Sequence, residues 1–281
     1  MSSIRPEYFF KILKMKISVV IPVLNERASL AATLAAISRA VQVAGTEAEI
    51  IIVDGGSTDG TREWLAHKLN PDSCSLNPEQ KKSDDCFQQT SGIRNQDSGF
   101  SLPTLVVLDA ERGRGVQLQT GAKAATGETL LFLHGDCLLP PDGLKVVTEA
   151  LNDGQCTGGC FLVGFAEPTS LSLRVIARGI NARTRATRTG TGDQGIFVRR
   201  EVYEAISGFR AWPLFEDVDL VTRLKRRGKF AVLKSVITIS PRRYLAHGPW
   251  RTTLLMYALR IGYWLGISPV KLSEWFVDVR R

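Results

Sequence analysis

Leu131-Phe132-Leu133-His134-Gly135-Asp136-Cys137 says most about the kind of fold to expect. Its apolar opening reads as a strand buried on both faces, and it breaks off at an aspartate with a histidine two residues earlier. A carboxylate at the carboxyl tip of a buried strand has no packing role and points to a ligand, and in α/β folds that edge is where ligands sit. Two further runs end in the same way. Ile17-Ser18-Val19-Val20-Ile21-Pro22-Val23-Leu24 meets Asn25-Glu26, and Ile50-Ile51-Ile52-Val53 meets Asp54-Gly55-Gly56-Ser57. Three polar strand tips imply one crevice that holds the chemistry.

Working outward, apolar runs at 16–23, 48–53, 104–108 and 129–133 alternate with helical patterns at 28–41, 58–68 and 115–125. That alternation predicts βαβ units, hence an α/β fold with a Rossmann-like, mostly parallel sheet flanked by helices. Pro140-Pro141-Asp142 opens another helix with proline in its first turn. The second half is less regular, with strands expected at 158–165, 195–198 and 230–239 and helices at 171–188, 218–227 and 254–265. It reads as an appended region closed by a C-terminal helix. Residues 70–102 are polar and without apolar periodicity, which marks a disordered insertion. Residues 1–15 read as an N-terminal extension, with Met15 an alternative start to Met1, and 16–281 as a single domain.

Of 281 residues, 44% are hydrophobic, enough for a substantial core. Lys and Arg number 36 against 28 Asp and Glu, a net charge of +8 concentrated in the second half. A basic surface suits phosphorylated ligands, an anionic membrane or nucleic acid, and the absence of any nucleic-acid motif disfavours the last. Cys74, Cys86, Cys137, Cys156 and Cys160 are odd in number and irregular in spacing, which argues against a disulfide framework and for a cytoplasmic setting. No run reaches the ~20 apolar residues that a membrane helix needs. The segment from Leu254 to Ile267 is a core helix or one lying on a membrane surface. Arg174, Arg178, Arg183, Arg185 and Arg188 form a solvated helix face, or with that C-terminal helix they dock an anionic leaflet.

Among individual residues, Asp54 can accept hydrogen bonds from a ribose or a nucleobase imide, and Ser57 or Thr58 can cap the following helix, with Asp59 simply exposed. Glu216-Asp217 opens a helix, where a carboxylate either caps the first turn or faces the crevice. Asp219 is the poorer candidate, since two residues along a helix do not share a face.

Ser18-Val19-Val20-Ile21-Pro22-Val23-Leu24-Asn25-Glu26, then Val53-Asp54-Gly55-Gly56-Ser57-Thr58-Asp59-Gly60-Thr61, then the His134-Gly135-Asp136 tip resemble glycosyltransferase family 2, whose members have the GT-A fold and use nucleotide-sugar donors with inversion. Arg114-Gly115-Val116-Gln117, Gly192-Asp193-Gln194-Gly195 and Pro213-Leu214-Phe215-Glu216-Asp217-Val218 resemble a narrower bacterial subgroup, transferase 2, radical-SAM/selenodomain-associated. The resemblance implies that Pro22, Asn25, Glu26, Asp54, Ser57, Arg114, Gly115 and Asp136 bind the nucleotide sugar, with a UDP-sugar the expected donor. It makes Asp136 the ligand of a divalent metal, Mn²⁺ or Mg²⁺, with His134 and His247 as further candidate ligands. Asp217 becomes the general base, and Gln194, Glu216, Arg242 and Arg243 fall on the acceptor and diphosphate side of the appended region. The chain departs from the pattern where His134 replaces the first metal carboxylate and Gly55 a second aspartate, so His134 is equally a ligand or a core residue. His247, Arg242 and Arg243 are equally residues of a solvated loop.

The expected activity is metal-assisted, non-processive, inverting transfer of one sugar to a hydroxyl acceptor, which a lipid could carry, at the inner face of a membrane. Two alternatives stand beside it: a sugar nucleotidyltransferase, which would release pyrophosphate, and a non-catalytic nucleotide-sugar-binding protein.

Overall fold

The computed structural model describes residues 15–69, 89–91 and 103–277. The expected N-terminal extension, most of the expected insertion, and Cys74 and Cys86 lie outside these residues.

Four strands, β1 (Ile17–Val23), β2 (Ala48–Asp54), β4 (Thr104–Asp109) and β5 (Thr129–Phe132), pair in parallel in the order β4-β2-β1-β5. Alternation along β1 explains why both of its faces are apolar, Ser18 apart. Ile17, Val19 and Ile21 face one core with Leu30 and Ile37, whereas Val20 faces the other with Val53, Leu118 and Phe132. The helices α1 (Leu30–Ala44), α2 (Thr61–Leu69) and α3 (Arg114–Ala124) follow β1, β2 and β4. Gly45 ends α1 in the left-handed conformation, its N–H donating to Val41 O at 2.9 Å. Helix α3 lies so close to the sheet that a Cβ at Gly121 would collide with Val20 Cγ1 and Val53 Cγ2.

Beyond β5 the sheet turns mixed. Strand β8 (Ile196–Arg199) runs antiparallel to both β5 and β7 (Cys156–Phe165), and β9 (Lys229–Ile239) is parallel to β7. The short β6 (Cys137–Leu138) pairs with the end of β9. The reversal arises because the chain returns from β7 through α5 (Leu171–Thr187) and a 3-10 turn at Gly192–Gln194, entering between β5 and β7 from the opposite end. The parallel expectation therefore describes the half that carries the three polar tips, within an α/β fold of the expected class. Inside the expected insertion, β3 (Gln89–Ser91) adds an antiparallel edge strand to β4. Helix α4 (Gly143–Leu151) starts after Pro140-Pro141, so the prolines precede its first turn.

The appended region adds α6 (Arg200–Ala205), α7 (Glu216–Lys225), α8 (Arg242–His247), α9 (Pro249–Trp264) and α10 (Pro269–Val277). Leu214, Phe215 and Val218 pack against Leu259 and Leu272 in a third, smaller core that fixes α9 and α10 beside α7. Among the described residues no helix is long and apolar enough to cross a membrane.

Candidate active site

Register aligns Val23, Asp54 and Asp109 across the carboxyl edge of the parallel strands. Past Val23 the backbone turns at Asn25, whose φ of 59° is a conformation that asparagine tolerates better than most residues. Asn25 N–H donates to Ser57 Oγ at 2.9 Å, and its Oδ1 accepts from Thr58 N–H at 2.8 Å. These bonds lock the first tip to the second. Asp54 is buried, and its carboxylate accepts from Ser57 N–H, Ser57 Oγ–H and Gly56 N–H, with Arg62 Nε 3.6 Å away. Ser57 is thus part of the tip, while the start of α2 is held by Asp59, which is exposed as expected yet accepts from Thr61 N–H and Arg27 N–H, each at 3.0 Å. The cap expected at Ser57 or Thr58 falls to Asp59 because the helix begins at Thr61, three residues later than the sequence pattern places it.

Gln117 holds the edge from below. Its Nε2 donates to Val23 O and Val53 O, both at 2.8 Å, and a Cβ at Gly55 would lie 2.9 Å from that nitrogen. Glycine at position 55, where the family pattern has a second aspartate, is the residue that leaves room for this brace. Pro22 is half-buried within β1, and Gly115 is buried where a Cβ would press 2.5 Å from Arg210 O. Both shape the wall of the crevice through backbone placement.

The third tip lies across from Glu26. Arg242 on α8 donates from Nη2 to Glu26 Oε2 at 2.7 Å and to Asp136 Oδ2 at 3.0 Å, joining residues 110 positions apart in sequence around one guanidinium. Next to Asp136, His134 is enclosed, and its Nε2 is buried with no hydrogen-bond partner. Burial, reinforced by the Arg114 charge, pushes its pKa down to about 4, so the imidazole is neutral near pH 7. One ligand atom each from His134, Asp136 and Cys137 lies within 4.8 Å of the others. His247, at the end of α8, is not part of that cluster.

Helix α7 supplies the facing wall. Asp217 Oδ2 accepts from Gly192 N–H at 2.6 Å, and Oδ1 from Val218 N–H at 2.7 Å. A Cβ on Gly192 would sit 2.7 Å from His134 Nε2 and 3.4 Å from Asp217 Oδ2, so glycine there lets the imidazole and the carboxylate share one space. Glu216 is wholly buried, pairs through Oε1 with Arg114 Nε, and leaves its Oε2 without a partner. Burial pulls the Arg114 pKa down, but Glu216 and Asp217 more than reverse this and hold the guanidinium charged. The acidic first turn of α7 also gains from the helix dipole.

Some expectations change. Gln194 is fully buried and its amide is engaged with Phe161 O, Thr184 and Thr191, so it supports the Gly192–Asp193 turn from beneath instead of meeting an acceptor. Its neighbour Asp193 is the residue whose charge reaches His134, Arg114 and Arg260. Arg260, which breaks the apolar pattern of the C-terminal helix, is buried near Asp217 and Asp193, with burial and Arg183 lowering its pKa. The break in apolar periodicity was the available signal for Arg260. For Cys137 there was none, since an isolated cysteine in a strand reads as packing. Arg243 is exposed on α8 beside Arg242.

The donor set fits a divalent cation. A neutral imidazole with an orphaned nitrogen stands beside a carboxylate, and each can offer one ligand atom. Cys137 is the weakest member, because burial and then Asp136 and Asp193 raise its pKa well above the ordinary thiol value.

A sequence model of the family described as glycosyl transferase family 2 matches residues 18–77 and 90–207. Among curated proteins, an undecaprenyl-phosphate 4-deoxy-4-formamido-L-arabinose transferase of Yersinia pestis (strain Pestoides F) is 26% identical over 196 residues, 68% of this chain and 51% of the relative. The chain thus spans about half the length of the curated relatives it matches. Among solved structures, the mannosyltransferase PcManGT from Pyrobaculum calidifontis, in complex with GDP-Man and Mn²⁺, aligns at TM-score 0.58 with 18% identity, covering 88% of this chain and 62% of that one. S. aureus TarS 1–349 in complex with UDP-GlcNAc aligns at TM-score 0.54 with 17% identity, covering 80% and 58%. At such identities these two likenesses speak for the GT-A type of fold.

Proposed function

This chain belongs to glycosyl transferase family 2, and from that premise we propose that it moves one sugar from a nucleotide-sugar donor to a hydroxyl acceptor with inversion. The observation that carries the reading is the meeting of Glu26, Asp136 and Asp217, from three distant parts of the chain, at one strand edge with Arg114, His134 and Arg242. The narrower transferase 2 subgroup, supported by Gly192-Asp193-Gln194-Gly195 and Glu216-Asp217-Val218, belongs to the same proposal.

In this reading Asn25, Glu26 and the Asp54–Ser57 turn form the nucleoside side of the crevice, and a UDP-sugar is the donor. Asp136 and His134 would hold a divalent cation, which would supply positive charge against that building on the departing nucleoside diphosphate. Arg242 adds fixed positive charge on the diphosphate side. Asp217 takes the proton from the acceptor hydroxyl as its oxygen attacks the anomeric carbon opposite the diphosphate. Two backbone N–H groups keep the Asp217 carboxylate in place, while Glu216 takes up the Arg114 charge that would otherwise oppose proton uptake. The acceptor is lipid-borne and the enzyme works peripherally at the inner face of a membrane, a reading supported by the undecaprenyl-phosphate transferase relatives.

A panel of nucleotide sugars, screened for thermal stabilisation with and without Mn²⁺ and then for nucleoside diphosphate release, tests the proposal. Stabilisation by one donor class, greater with Mn²⁺, and release of diphosphate but not pyrophosphate are expected. Stabilisation by a nucleoside triphosphate with pyrophosphate release would overturn it.

A further inference from the structure

Helix α9 is apolar on two opposite faces. One packs through Leu259 into the small core with Leu214, Phe215, Val218 and Leu272. The other presents Trp250, Leu254, Tyr257, Ile261 and Trp264 to solvent, at intervals of four, three, four and three residues, which is one continuous stripe on a helix. Leu254 is 69% exposed and Trp264 66%. Leu245 on α8, Leu265, and Val270 and Trp275 on α10 extend the exposed apolar surface. A helix apolar all round is ordinarily buried, and contiguous exposed patches of this kind mark interaction surfaces.

Charge selects the occupant. From Arg242 to Trp275 the chain has four arginines and one lysine against one acid, Glu274; Arg260 is buried and Arg242 pairs with Glu26 and Asp136, so Arg243, Arg251 and Lys271 are the exposed cations that face outward. Arg251 lies on the exposed face of α9 itself, and Lys271 is exposed on α10. Helix α5 packs beside α9 and exposes Arg174, Arg178 and Arg185 together with Leu171 and Val175. Tryptophan, tyrosine and leucine flanked by cations that outnumber the single acid, Glu274, match an anionic bilayer interface, where aromatic rings sit at headgroup level and cations meet lipid phosphate. We propose that the α9 stripe, with Leu245, Val270 and Trp275 beside it, seats the protein on an anionic bilayer surface. The stripe adjoins α8, whose Arg242 reaches Glu26 and Asp136, so docking would bring the mouth of the crevice to the headgroup layer. The proposal rests on the lipid-acceptor reading for its purpose alone. Vesicle binding needs neither donor nor acceptor, so either idea can fail while the other stands.

The test is co-sedimentation of the full chain with phosphatidylcholine vesicles, with and without about 30% phosphatidylglycerol, whose anionic headgroups attract cationic side chains. Binding is expected to be at least tenfold stronger to the anionic vesicles and to weaken with salt. The double variant Leu254→Ser/Trp264→Ser should lose about tenfold or more in partitioning, while its nucleotide affinity and thermal midpoint, which report folding, stay near wild type. Arg251→Ala/Lys271→Ala should lose most of the preference for anionic lipid. Equal partitioning of wild type and the Leu254/Trp264 variant would overturn the proposal. So would a wild-type chain that ignores both vesicles yet forms a dimer that the same variant breaks, since the stripe would then be a protein interface.

Discussion

Asp217→Asn tests the proton-transfer role directly. The substitution keeps the side-chain size, but asparagine has one acceptor oxygen, whereas Asp217 uses both, for Gly192 N–H at 2.6 Å and Val218 N–H at 2.7 Å. One backbone donor therefore loses its acceptor, a cost of about 1–2 kcal/mol in stability. The neutral amide cannot take the acceptor proton, and positioned general bases contribute about 10²–10⁴ in rate. The expected result is a fall in kcat by about 10²–10⁴, some 3–5 kcal/mol on the barrier. Donor affinity should stay within about threefold, because the lost interaction belongs to the transition state. The assay pairs steady-state nucleoside diphosphate release with calorimetric donor titration on the same preparation. Near-wild-type kcat with unchanged donor binding refutes the base assignment. It would also argue for an acceptor that arrives ionised, such as a phosphate, because such a nucleophile needs no base.

Asp136→Ala should abolish Mn²⁺-dependent donor binding while leaving the fold intact, measured by calorimetry and by the paramagnetic signal of free Mn²⁺; unchanged Mn²⁺ uptake would remove Asp136 from the metal site. Glu49 lies at the opposite edge of the sheet, buried, with Ser18 Oγ–H at 2.5 Å, Thr126 N–H at 2.6 Å and Lys16 Nζ at 3.2 Å. Burial pushes its pKa up, but these partners outweigh that and hold it net below the ordinary carboxylate value. A lowered folded pKa contributes stability that is present above the unfolded value near 4.5 and is lost as pH falls through the folded value. Glu49→Gln should therefore lower stability at pH 7 by about 2–3 kcal/mol and flatten the loss between pH 5 and 3, read by denaturant titration. Gly121→Ala should destabilise by about 1–3 kcal/mol through the clash with Val20 and Val53, measured the same way, with nucleotide affinity little changed if the strand tips hold.

Much of the scaffold was legible in the sequence because its signals are local. Continuous apolar runs mark strands covered on both faces, and the abrupt polar ends of β1, β2 and β5 mark the edge where they open to solvent. Sequence pattern alone was enough for the α/β class, for the alternating strands and helices of the parallel half, and for the three tips that share its edge, but it missed β3, β6, α6, α8 and α10. It could not tell one strand carboxylate from another. Glu49 stabilises the fold at the closed edge and Asp54 is turned into its own Gly56–Ser57 turn, whereas Asp136 and Asp217 face the shared crevice. For Glu49 and Asp136 that difference depends on partners dozens of positions or more away, Ser18 and Thr126 for the first and Arg242 for the second, whereas Asp54 is held by its own turn. Long-range packing, invisible in the sequence, makes Arg242 bridge Glu26 and Asp136, turns Gln194 inward while the charge of Asp193 reaches the site, and leaves an apolar face of α9 uncovered. Periodicity tells which faces of an element are apolar, but which of those faces meets the core is settled by packing between elements far apart in the chain.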